Sequence, residues 1–159
     1  MGLLDIFKVN GKLNNHSNLI SKKIHEWKLD TPVYFSDWIH SMANAISGYK
    51  TPMRLQFTAN GTFSFEITNK DIYEKNNNEE LIKELVAGQC ANFLSEMASK
   101  ETFNSERNLK EQISELDLLD YVKKYTGDIG ISVTEITLNS LELTDDSIAK
   151  IKEYNKRLK

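Results

Sequence analysis

From Met53 to Ile67 the odd positions read Met, Leu, Phe, Ala, Gly, Phe, Phe and Ile, while the even positions from Arg54 to Thr68 are all polar. A period of two puts alternate residues on opposite faces of a strand, so this stretch predicts one long ribbon with one face buried and one wet. Asn60-Gly61 within it is the sequence of a two-residue hairpin turn. A turn there would set Ala59 opposite Thr62 and Phe57 opposite Ser64, and the two halves would disagree about which face is the core. Running straight through keeps the apolar face continuous, with Gly61 marking a bulge, a bend or the close approach of another backbone. A hairpin with a longer loop is the alternative.

The remaining elements follow from changes of period. Ser17 is placed to cap a helix to about Lys28, with Leu19, Ile20, Ile24 and Trp27 on one face, stopping before Pro32. Val33 to Phe35 reads as a short strand. Asp37 to Ser47 suits a turn or two of helix through Trp38, Ile39, Met42 and Ile46, ended by Gly48. After the ribbon, Asn69 to Asn78 is polar, with Ile72 and Tyr73 anchoring a single turn. Asn77 and Glu80 are spaced like a capping box for a helix to about Ser99, whose apolar face runs from Ile82 through Leu85, Val86, Cys90, Phe93 and Leu94 to Met97. Gly88 inside that helix costs roughly 1 kcal/mol relative to Ala, which points to tight packing there.

A connection around Phe103 leads to a second helix, broken or continuous, from Asn108 to Thr126. Leu109, Ile113, Leu116, Leu119 and Val122 form its face, and Gly127 is its stop. A second strand region covers Asp128 to Leu143. In it the apolar positions change parity, from Ile131 and Val133 to Ile136 and Leu138, which requires a bulge near Thr134-Glu135 or burial on both faces. Thr144-Asp145-Asp146 caps a last helix to Leu158. Ile148, Ile151, Asn155 and Leu158 fall there at a, d, a, d spacing, with a polar residue at one a position.

With 159 residues, 40% of them hydrophobic, one core in one domain is expected. A net charge of −3 without a concentrated basic face argues against binding nucleic acid through its phosphates. Between Asn69 and Thr126 there are 12 acids and 8 bases, a balance that a solvated helical surface explains. The single cysteine, Cys90, lies on an apolar helix face, where it acts as a small hydrophobe, and a chain with one cysteine suits a reducing cytosol. His16, His25 and His40 lack a metal-ligand spacing and read as surface or half-buried structural residues; no metal, cofactor or catalytic residue is expected. Neither a phosphate-binding loop nor a dinucleotide fingerprint is present. The opening residues, with Asp5 inside a short apolar run, read as neither a signal peptide nor a spanning helix. Leu3, Leu4, Ile6 and Phe7 are instead the candidates for contact with a membrane surface or for docking on the domain, at an end whose plain reading is a partly ordered terminus.

Phe57-Thr-Ala-Asn-Gly-Thr-Phe-Ser-Phe-Glu-Ile-Thr68 resembles the central strand of the SPFH (band 7, prohibitin-homology) family. Gly130-Ile-Ser-Val-Thr-Glu-Ile-Thr-Leu138 is similar to that family's Gly-Ile-x-Val-x-x-Val-x-Ile strand, and the last helix sits where the family begins its coiled coil. The resemblance covers roughly residues 51–158 and is closest to the bacterial virion-core-like branch. It departs in the elements before the central strand and in the brevity of the coil, the parts family members use for membrane contact and ring assembly. What it implies is an α+β fold, a twisted sheet with helices packed on one face, one long central strand and a C-terminal helix. With the Asn-rich opening residues read from their composition as a flexible segment 1–16, the expected division is that segment, an SPFH-like domain 17–143 and the helix 144–159. The expected role is a non-enzymatic scaffold that self-associates or docks a protein partner, cytoplasmic or peripheral on an anionic membrane surface. Sheet edges and the heptad positions Ile148, Ile151, Asn155 and Leu158 are its candidate joining surfaces. The alternatives are a cytosolic adaptor or inhibitor that binds one partner without oligomerising and, behind it, an enzyme with a pocket built from scattered residues.

Overall fold

A computed structural model of the chain describes residues 23–43, 48–75 and 79–158. Among them, five strands form one antiparallel sheet: β1 (His25–Lys28), β2 (Val33–Ala43), β3 (Lys50–Ile67), β4 (Ile131–Ile136) and β5 (Ser140–Leu143). Four α-helices accompany them: α1 (Lys70–Lys75), α2 (Glu79–Ala98), α3 (Glu115–Lys124) and α4 (Asp145–Arg157). The fold is the expected mixed α+β arrangement around one long strand.

β3 is the spine, because every other strand pairs with it. Phe63 faces His25 on one side and Ile136 on the other, and Asn60 likewise faces Lys28 and Ser140. β1 and then β2 therefore run along one edge, β4 and then β5 along the other. Leu55, Phe57, Ala59 and Phe63 are buried on one face, whereas Arg54, Thr58, Asn60 and Glu66 are exposed. The alternation thus runs straight through Asn60-Gly61, as expected. At Gly61 a Cβ would lie 1.8 Å from the Thr137 carbonyl oxygen and 2.8 Å from Trp27 Nε1. Trp27 Nε1 donates to that same carbonyl at 3.1 Å, so the glycine is where two neighbours close over the spine.

The parity switch in the second strand region is resolved by a bulge, one of the two alternatives expected there. Ser64 pairs with Glu135 and Phe65 with Val133, leaving Thr134 as the extra residue, and Ile131, Val133, Ile136 and Leu138 are all buried. α4 also forms as expected: the Thr144 side chain accepts from the Ser147 amide and caps it. α2 lays Ile82, Val86, Cys90, Phe93 and Leu94 into the core, packing on β1, β2 and α3.

Several expectations are corrected. The helix ending near Lys28 is a strand at His25–Lys28, with residues 17–22 outside the described ones. His25 and Trp27 point inward and Ile24 is exposed, a period of two whose backbone completes the ladder of β3 at residues 60–63. The helical turns expected after Asp37 are a continuation of β2 to Ala43, because the edge of β3 offers Met53, Thr51 and Lys50 as partners; residues 44–47 lie outside the described ones. Gly88 marks no close approach: it is exposed, with nothing within 4 Å of an added Cβ, because it lies two residues from both Val86 and Cys90 and so on the outer side of the helix. The second helix takes the broken form: a 3-10 turn at Lys110–Gln112 precedes α3, which starts at Glu115 behind the Ser114 cap. Leu109, Ile113 and Val122 are buried as expected, but Leu118 is buried where Leu116 was expected, and Leu116 is exposed. α3 ends at Lys124; Gly127 opens a 3-10 turn, and Gly130 takes the left-handed conformation with φ 80°.

Candidate functional site

The pairing of β2 with β3 slips between Asp37 and Met42, so the strand bows outward over residues 38–41. Asp37 makes this bow: its Oδ1 accepts from the amides of Ile39 at 3.1 Å and His40 at 3.2 Å. A carboxylate that satisfies its own following amides stabilises a local turn in place of the ladder. The turn drives the His40 side chain inward, where it is 3% exposed.

His40 meets three elements there. Its Nδ1 lies 2.8 Å from Asp37 Oδ2, and its Nε2 lies 2.5 Å from Glu106 Oε2 on the connection between α2 and α3. Ser105 Oγ donates to Asp37 Oδ2 at 2.9 Å and sits 3.3 Å from His40 Nδ1. The Tyr154 ring of α4 stands edge-on to the imidazole at 5.6 Å, and its hydroxyl donates to the Ser41 carbonyl at 3.2 Å. Burial lowers the His40 pKa, but the hydrogen bonds to Glu106 and Asp37 and the charges of those carboxylates outweigh it and hold the imidazole above its ordinary 6.5. A ring with carboxylates on both nitrogens donates to both only when protonated.

This arrangement is poorly built for nucleophilic chemistry. Ser105 is buried and gives its proton to Asp37, and both sit at the same ring nitrogen, whereas a nucleophile needs the ring between itself and the acid. Asp37 and Glu106 lie on opposite nitrogens and do not converge; among the described residues no group of three or more His, Cys, Asp or Glu side chains is placed to hold a metal ion.

On the outer side of Ser105 and Glu106 runs a groove of about 570 Å³. One wall is the chain from Ser105 to Leu109, the other is α4 with Ile148, Ile151, Lys152 and Asn155, and Leu141 and Leu143 of β5 lie between them. Three of the four candidate self-association residues therefore line one feature. Ile148 is 39% exposed and Ile151 is 6% exposed and part of the core, while Leu158, outside the groove lining, is 69% exposed. The candidate membrane residues Leu3, Leu4, Ile6 and Phe7 lie outside the described residues. A second cavity, of about 480 Å³, opens between β1 and α2 around Trp27, Gly61, Lys83 and Glu84.

His25 is also buried, not superficial. It stacks at 5.3 Å on Phe63 and 5.2 Å on Phe65; burial foremost, with Lys23 and Lys83 nearby and Glu79 opposing, lowers its pKa. Cys90 is fully buried, and burial pushes its thiol far up, so it is the inert small side chain expected.

The sequence offered one local sign of the His40 site, the Asp37-x-x-His40 spacing. The bow in β2 and the arrival of Ser105 and Glu106 from more than sixty positions away have no sequence signature. The chain matches none of the protein-family models and no curated protein. No helix among the described residues is long and apolar enough to cross a membrane.

Proposed function

We propose that the chain is a non-enzymatic interaction module of the SPFH or band 7 kind, and that its partner is a second copy of itself, joined through α4. The observation that carries this reading is the two-ended character of that helix along one apolar stripe. Ile148, Ile151, Asn155 and Leu158 fall within an arc of about 80° at 3.6 residues per turn. Ile151 anchors the helix to its own domain, while Ile148 and Leu158 remain available outside. The first turn carries Asp145 and Asp146 and the last Lys156 and Arg157. Two such helices packed antiparallel about a twofold axis bring acids against bases at both ends, a self-complementary contact. The exposed charges set orientation more than affinity, at roughly 0.2–1 kcal/mol each. The apolar stripe and the adjoining groove supply the buried area. The Ser105, His40 and Asp37 geometry supports the non-enzymatic half of the reading, since its hydroxyl is inward and its ring is occupied on both sides.

Light scattering after size exclusion, at tens to hundreds of micromolar, tests the proposal. The expected result is a concentration-dependent dimer that Leu158→Asp with Ile148→Asp abolishes while circular dichroism is unchanged. Asp145→Lys with Asp146→Lys should weaken the dimer, and adding Lys156→Glu with Arg157→Glu should restore it. A strict monomer at the highest concentration overturns self-association, and a foreign protein co-purifying stoichiometrically with that monomer replaces it with a one-partner adaptor.

A further inference from the structure

We propose that Asp37, His40, Ser105 and Glu106 form a pH-sensitive latch, which pins the connection between α2 and α3 to β2 while His40 carries a proton and lets Glu106 go when the proton leaves. The geometry decides which partner is lost. Asp37 is 2% exposed, and its carboxylate is held by the amides of Ile39 and His40 and by the Ser105 hydroxyl. A neutral imidazole has one N–H, and the tautomer that keeps it on Nδ1 preserves the Asp37 contact. Nε2 then presents a lone pair to the Glu106 carboxylate, and two acceptors face each other with no proton between them. Glu106 has a side chain 49% exposed, so water is at hand to receive it.

The charged or titratable groups facing His40 are Asp37 from its own strand, Glu106 from the connection and the Tyr154 phenol from α4. Both carboxylates act in the same direction against burial, which is why the ring holds its proton above the ordinary 6.5. The released segment is short. Upstream, Phe103 is buried edge-on to Phe35 at 5.9 Å, and Asn104 is clamped by Gln112, which accepts from its amide at 2.9 Å and donates to its carbonyl at 2.8 Å. Downstream, Leu109 is buried. Ser105 stays bonded to Asp37, so release loosens residues 106–108, part of one wall of the groove beside α4, where the amides of Glu106 and Arg107 donate to Asn104 at 2.9 and 3.1 Å. The groove is narrow and fixed on the acid side of the transition and has a movable wall on the alkaline side.

The test is NMR on the full chain between pH 5.5 and 9. Histidine ring shifts give the pKa of His40, and amide exchange corrected for the intrinsic pH effect gives the protection of the Glu106 and Arg107 amides. His40 should titrate above 6.5, and protection at the Glu106 and Arg107 amides should fall about tenfold across that transition, the scale of one charge-assisted hydrogen bond. Glu106→Gln separates a latch from plain packing. Its amide donates to a neutral Nε2, so protection should become pH-independent and the His40 pKa should drop. The residue is half exposed, so the variant keeps the fold. Titration at or below 6.5, pH-independent protection in the native chain, or an unchanged pH response in Glu106→Gln would each overturn the proposal.

Discussion

Two glycine-to-alanine changes in this chain should act in opposite directions, and the difference measures how the spine is built. Gly61 has no left-handed φ to protect; only Gly48 and Gly130 do among the described residues. Its methyl would instead land 1.8 Å from the Thr137 oxygen. That carbonyl must withdraw by roughly 1.2 Å to reach even a tight contact. Withdrawal pulls on the bonds from the Thr137 amide to the Thr62 carbonyl at 2.8 Å, from the Thr62 amide to Thr137 Oγ1 at 2.9 Å and from Trp27 Nε1 to the Thr137 carbonyl at 3.1 Å. Overpacking costs about 1–3 kcal/mol. Loosening two of three hydrogen bonds adds about 1 kcal/mol each. Gly61→Ala should therefore destabilise by about 3–5 kcal/mol, a large part of an ordinary domain's stability. Gly88 faces solvent with nothing near, so Gly88→Ala should stabilise by about 1 kcal/mol through helix propensity alone.

Urea unfolding followed by tryptophan fluorescence reads both changes. With a slope of roughly 2 kcal/mol per molar, Gly61→Ala should lower the midpoint by about 2 M and Gly88→Ala should raise it by about 0.5 M. Trp27→Phe in the Gly61→Ala background should not rescue it, because the nearer obstacle is the carbonyl and not the indole. Had the chain doubled back at Asn60-Gly61, alanine would cost only the left-handed penalty, on the order of 1 kcal/mol. A loss of that size, or a full rescue by Trp27→Phe, would refute the straight spine with its crossing neighbours.

Other consequences are simpler to check. Ser147→Ala leaves the Gln56 amide, now bonded to Ser147 Oγ at 2.7 Å, without its acceptor, and should cost about 1–3 kcal/mol in urea unfolding while raising amide exchange along α4. Cys90 is sealed in the core, so its reaction with a thiol reagent should proceed at the rate of global opening, and faster labelling in native buffer would contradict its burial. His40 and His25 give stability opposite slopes with pH. The raised pKa of His40 stabilises fully below about 6.5, and that contribution is lost as pH rises through the raised value. The lowered pKa of His25 makes folding progressively less favourable as pH falls through its unfolded value near 6.5. Thermal unfolding should accordingly be best at intermediate pH, with His25→Phe flattening the acid limb and Glu106→Gln the alkaline one.

What the sequence made legible is what repeats locally. The period of two marked out β3, the parity change flagged an irregularity near Thr134-Glu135 where the bulge lies, and the Thr144 cap set the start of α4, each from neighbours along the chain. The errors came where short segments depend on distant partners. Leu19, Ile20, Ile24 and Trp27 have helical spacing, yet the unpaired ladder at residues 60–63 takes His25–Lys28 as a strand. Four residues hold too little periodicity to outvote a waiting edge. The His40 site is illegible for the same reason carried further: Asp37 makes the bow, but the Glu106 that completes the site is contributed by a connection with no pattern of its own.

The same long-range contacts bear on which surface is left to join another molecule. An open three-line sheet invites strand addition at its outer edges, but here much of those edges is already occupied or broken. On the β2 side, Ser95 Oγ of α2 donates to the Tyr34 carbonyl at 2.8 Å and Ser99 Oγ accepts from the Ser36 amide at 2.9 Å, while the bow after Asp37 ends any straight run. On the other side, the line breaks between β4 and β5, where Glu115 accepts from the Leu138 amide at 2.7 Å. Beyond β5, α4 itself covers the spine: the Thr144 amide donates to the Gln56 carbonyl at 3.1 Å, and Lys150 Nζ donates to the Arg54 carbonyl at 3.2 Å. With the edges of β2, of the β4–β5 line and of β3 beyond β5 blunted in these three ways, backbone pairing at them is the less favourable route to the proposed self-association. The outward stripe of α4, docked by Ile151 and Ser147 yet exposed at Ile148 and Leu158, is the surface on which side-chain packing is still open. If Ile148→Asp and Leu158→Asp leave a dimer intact while a proline placed in β5 dissolves it, this ranking of surfaces is inverted and the sheet edge is the joint.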